Sequence, residues 1–240
     1  MWLIANYHPV ALFSLKIGTA TATGGKSLLI PSPYAIRMAL LDVALRVEGN
    51  QKGEKFFTTI HSLDIALRPS RYAVVTNLFA KVQKLVRSDK EKDSAMQPTI
   101  AFREYVQWRG DFAIALSGNS TILAQVKNWL PFITYFGKRG SFVQFDSAWD
   151  SAEAPSNFTS LTQPIIRGAQ QNQLQVAQFP LGTLQLVDDW GETLTFDKVS
   201  SFTDESITLG DNADRTRYNL IIPYHFKQAG RGFTLYEISA

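Results

Sequence analysis

The chain has 240 residues, a formal charge of +3 and a pI of about 9.0, with 45% hydrophobic and 12% aromatic residues. That apolar content excludes a wholly disordered chain and suits one large domain or two small ones, while the mild excess of base permits a polyanionic partner. Cysteine is absent, which excludes disulfides and thiolate metal sites and fits a reducing, cytoplasmic setting.

Met1-Trp2-Leu3-Ile4 is apolar but has no basic residue before Lys16, so it makes a poor signal peptide, and no run reaches membrane length. Residues 2–17 read as a strand with a kink at Pro9, apolar on both faces and therefore central in a sheet. A glycine corner follows, Gly24-Gly25-Lys26-Ser27, then Leu28-Leu29-Ile30 and Pro31-Ser32-Pro33. The corner is not a nucleotide-binding P-loop. That motif needs glycine where Ala20 stands and a helix that starts at the lysine, whereas Pro31 and Pro33 forbid helix there. Ser32 as N-cap and Pro33 at the first position start a helix instead. Ile36, Leu40, Val43, Ala44 and Val47 give it one apolar face, and Gly49 closes it. Lys26, with Arg37 in the first turn, makes a plausible phosphate-binding corner at the helix N-terminus.

Phe57–Leu67 and Tyr72–Val86 carry strand-like residues around a turn at Arg68-Pro69-Ser70-Arg71. Residues 87–98 begin with an unbroken charged and polar stretch, expected as the tip of a solvated finger or as a plain loop. Arg103–Leu116 reads as a strand with a bend at Gly110. Ser117-Gly118-Asn119-Ser120 caps a second helix over Thr121–Leu130, ended by Pro131. Phe132–Phe136 is expected as a strand, leading into the basic turn Gly137-Lys138-Arg139-Gly140, where two glycines let backbone approach a ligand. A soft boundary falls near residue 150. Beyond it, short strands are expected at Gly182–Val187, Glu192–Phe196, Ile207–Leu209, Tyr218–Phe226 and Phe233–Ser239, and the acidic run Asp204–Asp214 is unsuited to face a polyanion. The predicted class is α+β: a ferredoxin-like first part over 1–147, with a hairpin thumb at about 80–104, and a β-rich region over 148–240.

Three stretches resemble a known family, the CRISPR-associated RAMP proteins, and within it the fifth-family subunit of type I Cascade effector complexes. They are Pro31-Ser32-Pro33-Tyr34-Ala35-Ile36-Arg37 at the helix start, Tyr135-Phe136-Gly137-Lys138-Arg139-Gly140 after the second helix, and the charged insertion at 87–98, placed like that family's thumb. The resemblance spans residues 2–145. It implies an RRM-like RAMP fold and a non-catalytic subunit that caps the 5′ handle of the CRISPR RNA. It further implies docking to the large subunit and the backbone subunits, indirect contact with target DNA, and no membrane. It assigns Lys26, Tyr34, Arg37, Lys138 and Arg139 to the RNA handle, and Arg87 with the thumb to the guide or a neighbouring subunit. Single-stranded RNA is held by basic residues and aromatic stacking, which suits Tyr34 and Tyr135. No cofactor, metal or catalytic residue is expected. The alternative is a metal-independent endoribonuclease that processes repeat RNA, with His61 as its candidate acid or base, beside His8 and His225. The acidic doublets Asp188-Asp189 and Asp204-Glu205 lack histidine at metal-ligand spacing.

Overall fold

A computed structural model describes residues 1–18, 20, 24–85, 96–153, 155–162, 182–208 and 214–238. The elements are β1 (Trp2–Pro9), β2 (Leu15–Lys16), β3 (Gly24–Gly25), β4 (Ser27–Leu28), α1 (Pro33–Glu48), α2 (Gly53–His61), β5 (Asp64–Arg68), β6 (Tyr72–Leu85), β7 (Met96–Arg109), β8 (Phe112–Ser117), α3 (Ser120–Trp129), β9 (Val143–Ser151), β10 (Thr159–Ser160), β11 (Thr183–Trp190), α4 (Phe196–Val199), β12 (Arg215–Ile222), β13 (Tyr224–Gly230) and β14 (Phe233–Ile238). The class is mixed α+β with a large share of strand.

One five-stranded sheet has the order β10-β5-β8-β1-β9 and is antiparallel throughout. β1 lies between β8 and β9, which explains why both of its faces are apolar. Leu3, Ala5 and Tyr7 enter the main core, while Ile4 packs with Ala66, Ala113 and Ala115 on the other side. Helices α1, α2 and α3 cover the main-core face through Ile36, Leu40, Val43, Phe56, Ile60, Leu123, Val126 and Trp129. The second sheet has the order β13-β14-β6-β7-β3. Its axis is the long β6–β7 hairpin, in register from Tyr72↔Arg109 to Leu85↔Met96.

Helix α1 starts as the sequence reads. Ser32 Oγ accepts from Ala35 N at 3.3 Å, Pro33 takes the first turn, and Gly49 leaves the helix at φ +91°. Its expected apolar face is right except for Val47, which is exposed. Three expected strands are replaced, in whole or in part, by helix or turn. Phe57 belongs to α2, because Phe56, Phe57 and Ile60 repeat at helical spacing, and strand begins only at Asp64. Phe132 lies in a 3-10 turn imposed at Pro131, so only Tyr135 bridges to Phe142. Phe196 begins the short α4, capped by Thr195. The long strand read from Tyr218 to Phe226 is two, broken at Pro223.

The soft boundary near 150 falls inside β9 rather than in a linker. Later strands complete earlier sheets: β10 extends β5, and β14 pairs with β6 from Phe233↔Thr76 to Glu237↔Tyr72. The β11–β12 hairpin packs against α1 through Val187, Leu220 and Ile222, which share its core.

Candidate nucleic-acid interface

The glycine corner and the segment after it are held by β7 and β11. Ser27 N donates to Glu104 Oε2 on β7 at 2.9 Å, Trp108 Nε1 donates to Leu29 O at 2.9 Å, and Leu29 N donates to Gln185 Oε1 on β11 at 2.9 Å. Gly25 lies so close to Arg103 that a Cβ there would stand 3.1 Å from its Cδ. This bonding fixes the path from Gly24 to Ser32 and so the start of α1.

The second glycine turn packs onto that start. Ser141 N donates to Lys138 O at 3.1 Å and Val143 N to Thr134 O at 2.9 Å, closing a loop with Gly137 at φ +70° and Gly140 at φ +105°. A Cβ on Gly137 would stand 2.6 Å from Leu15 Cδ2 and 3.5 Å from Ala35 Cβ. The basic turn therefore rests between β2 and the first turn of α1.

Together with β11 and β12 these elements border a groove of about 400 Å³, lined by Lys16, Ser32, Tyr34, Lys138, Asp188 and Arg215 among others. Its lining carries three cations, Lys16, Lys138 and Arg215, and one carboxylate, Asp188. The Arg215 guanidinium carbon sits 3.9 Å from the centroid of the Tyr34 ring, and its Nη2 is ion-paired with Asp188 Oδ2. Cation–π contact and ion pair thus fix the same guanidinium. Burial pushes the Tyr34 phenol up; Arg215 pulls it down and Asp188 pushes it further up.

Of the expected site residues, Tyr34 and Lys138 line this groove, and Arg139 is exposed beside Lys138 at the tip of the turn. Lys26 is exposed next to Ser27, which pairs with Lys16, so it flanks the groove without lining it. Arg37 is a correction. It is 4% exposed and turned inward, donating from Nε to Asp189 Oδ1 at 2.7 Å, from Nη2 to Asp189 Oδ2 at 3.3 Å and to Leu63 O at 3.0 Å, and from Nη1 to Ile60 O. With every arm of its fork committed inside the protein, it cannot meet a phosphate at the helix N-terminus. Arg87 lies outside the described residues.

Lys16, Arg215 and Arg217 were not assigned to this site from sequence, and Asp188 was weighed there only as half of an acidic doublet. Arg217 packs on the corner as well, its Nε 3.0 Å from where a Gly18 Cβ would stand. The available signal was Arg215-Thr216-Arg217, two cations at period 2 opening an apolar strand and so sharing one face.

The histidines occupy separate elements. His8 on β1 bonds through Nδ1 to Asp111 Oδ1. His61 is at the end of α2, not in a strand, and packs beside Phe57 and Trp190, where burial and then the Arg37 charge lower its pKa, partly offset by Asp189 and Glu192. His225 is on β13. Among the described residues no group of three or more His, Cys, Asp or Glu could hold a metal ion, and no helix is long and apolar enough to cross a membrane.

No protein-family model matches the chain. A CRISPR-associated protein Cas5 of Archaeoglobus fulgidus is 26% identical over 137 residues, which span 57% of this chain and 56% of that relative, little more than half of either. Among solved structures, a chain of the type III-B Cmr-beta complex bound to cognate target RNA has a TM-score of 0.43 at 11% identity, covering 62% of this chain and 59% of that one. A CRISPR protein from Archaeoglobus fulgidus has a TM-score of 0.39 at 13% identity over 100% of this chain and 92% of that one. A chain of a CRISPR RNA-guided surveillance complex has 0.39 at 13%, over 91% and 88%. Over that matched half, where the proline-serine helix start lies, the chain is similar in sequence to a CRISPR-associated Cas5 protein.

Proposed function

We propose that this chain binds and caps the 5′ handle of a CRISPR RNA as a non-catalytic, cytoplasmic subunit of a type I Cascade effector complex. The observation that carries the reading is the convergence of β2, the start of α1, the Gly137–Gly140 turn and β12 on one groove with Lys16, Tyr34, Lys138 and Arg215. Cations beside an aromatic ring are the chemistry by which single strands are held, through phosphate attraction and base stacking. The sheet is read as a ferredoxin-like RAMP core. What supports this is the order β9-β1-β8-β5, with helices between β1 and β5 and between β8 and β9. The β6–β7 hairpin is read as the thumb. Its exposed Phe79 (71%), Ile100 (60%) and Leu78 (51%) suit contact with a neighbouring backbone or large subunit.

A processing endoribonuclease would want a histidine at the groove. His61 instead packs against Trp190 and His8 against Asp111, which supports the non-catalytic reading.

The test is to isolate the tagged chain with the products of its neighbouring genes and sequence the RNA that comes with it. Guide-length RNAs sharing one 5′ end are expected, protected from 5′ digestion only while the chain is present. RNA of random ends, or none, would refute capping. Cleavage of repeat RNA in chelator by the chain alone would install the nuclease reading instead.

A further inference from the structure

We propose that the Asp188 end of the groove selects one nucleobase by its exocyclic amino group, so that cytosine, adenine or guanine is accepted there and uracil is disfavoured. The inference rests on the reading of the groove as an RNA site and adds what that site discriminates.

The premise is a carboxylate in a place where phosphate binding alone would not want one. Asp188 sits among Lys16, Lys138 and Arg215 in the same groove, with its side chain only 15% exposed. A carboxylate repels phosphate, so it weakens a purely electrostatic grip. An ionised carboxylate is an acceptor only, and it demands a donor. Arg215 supplies one donor, to Oδ2. Among the described residues, Oδ1 is the acceptor that remains for a ligand. RNA offers two kinds of donor, base N–H groups and the ribose 2′-hydroxyl, and the neighbouring ring decides between them. Tyr34 lines the same groove with Arg215 3.9 Å from its centroid, a stacked pair against which a base would lie flat. A base held flat there brings its edge, rather than its sugar, towards the carboxylate.

Edge chemistry then fixes the preference. The amino groups of cytosine, adenine and guanine project beyond the ring and donate freely to a carboxylate, as in the pairing of acidic side chains with cytosine N4. The one ring N–H of uracil is flanked by two carbonyl oxygens whose lone pairs would face Asp188. The groove therefore divides: Lys16 and Lys138 hold the backbone, while Asp188, set by Arg215, reads the base.

The experiment measures binding of the purified chain to single-stranded oligo(C) and oligo(U) of about eight nucleotides, within the site sizes usual for single-strand grooves. These two RNAs share backbone and ring size and differ at the amino group. Wild type is expected to bind oligo(C) about tenfold more tightly, the scale of one good base-edge contact. Asp188→Asn, near-isosteric and able to donate as well as accept, is expected to bring the two affinities within about twofold by raising that for oligo(U). Tyr34→Leu is expected to weaken both RNAs alike. Tight binding of both RNAs by wild type with no preference would overturn base selection and leave RNA binding standing. Binding of neither RNA would remove the underlying reading, and base selection with it. Because wild type alone decides these outcomes, a variant that failed to fold would not obscure them.

Discussion

Arg37 on α1 and Asp189 on β11, 152 positions apart in the chain, meet in a buried two-pronged ion pair. The guanidinium also donates to the carbonyls of Ile60 and Leu63, at the end of α2 and before β5. One side chain thereby ties the first helix, the second helix and the C-terminal hairpin together. Removing either partner would leave the other charged, buried and unpaired. Asp189→Ala or Arg37→Ala is expected to cost about 3–5 kcal/mol, the usual penalty for breaking such a pair. Urea unfolding at neutral pH measures it. A loss below about 1 kcal/mol, typical of exposed ion pairs, would show the pair to be solvated.

The basic turn supports a second prediction. Lys138→Ala with Arg139→Ala should weaken RNA binding without changing the unfolding midpoint, because both side chains are exposed. If each contacts one phosphate, the slope of log affinity against log salt should flatten by roughly 1.4, at about 0.7 per contact for single strands. Fluorescence anisotropy over a salt series gives the slope directly. An unchanged slope would place the turn outside the interface.

Gly137 and Gly140 should respond differently to alanine. Both have positive φ, which strains any residue with a Cβ. Only Gly137 also faces a neighbour, Leu15 Cδ2, at 2.6 Å, whereas nothing lies within 4 Å at Gly140. Gly140→Ala is expected to cost about 1 kcal/mol from backbone strain. Gly137→Ala should cost more and should also weaken RNA binding, since Leu15 lines the groove and would have to move. Equal losses at the two positions would mean that the contact with Leu15 yields freely.

Asp214 sets the response to acid. It is buried and accepts from Thr193 Oγ1 at 2.9 Å, Thr208 N at 2.8 Å, Thr208 Oγ1 at 2.7 Å and Lys198 Nζ at 2.8 Å. The Lys198 hydrogen bond, then those of Thr208, hold its carboxyl well below the ordinary carboxylate range. A depressed carboxylate stabilises the fold above its unfolded value of about 3.9 and loses that contribution as pH falls towards the folded value. Wild type should therefore melt at a higher temperature than Asp214→Asn at pH 7, and the gap should close as pH drops below about 4. Melting curves of the two proteins across that range would show it. A gap constant with pH would mean that the charge contributes nothing.

The sequence made local signals legible and hid distant ones. Ser32, Pro33 and Gly49 act within a turn or two of themselves, so α1 could be read to its ends. The Gly137–Gly140 turn was legible for the same reason. Phe57 was misplaced because a short apolar run fits both periods, and the packing of α2 against Trp129 and Trp190 settles it as helix. Arg37 looked like an anion ligand because the helix N-terminus is visible in sequence and Asp189 is not. Arg215 went unnoticed for the converse reason: its partners, Tyr34 and Asp188, come from two distant segments.

β14 is made long after β6, the strand whose edge it covers. A nascent chain still on the ribosome carries β6 with the hydrogen-bonding groups of Tyr72 to Thr76 open to any passing strand, and with exposed Phe79 nearby. Translation halted before Phe233 would thus release a protein prone to aggregation, whereas β14, once made, covers that edge from within the same chain.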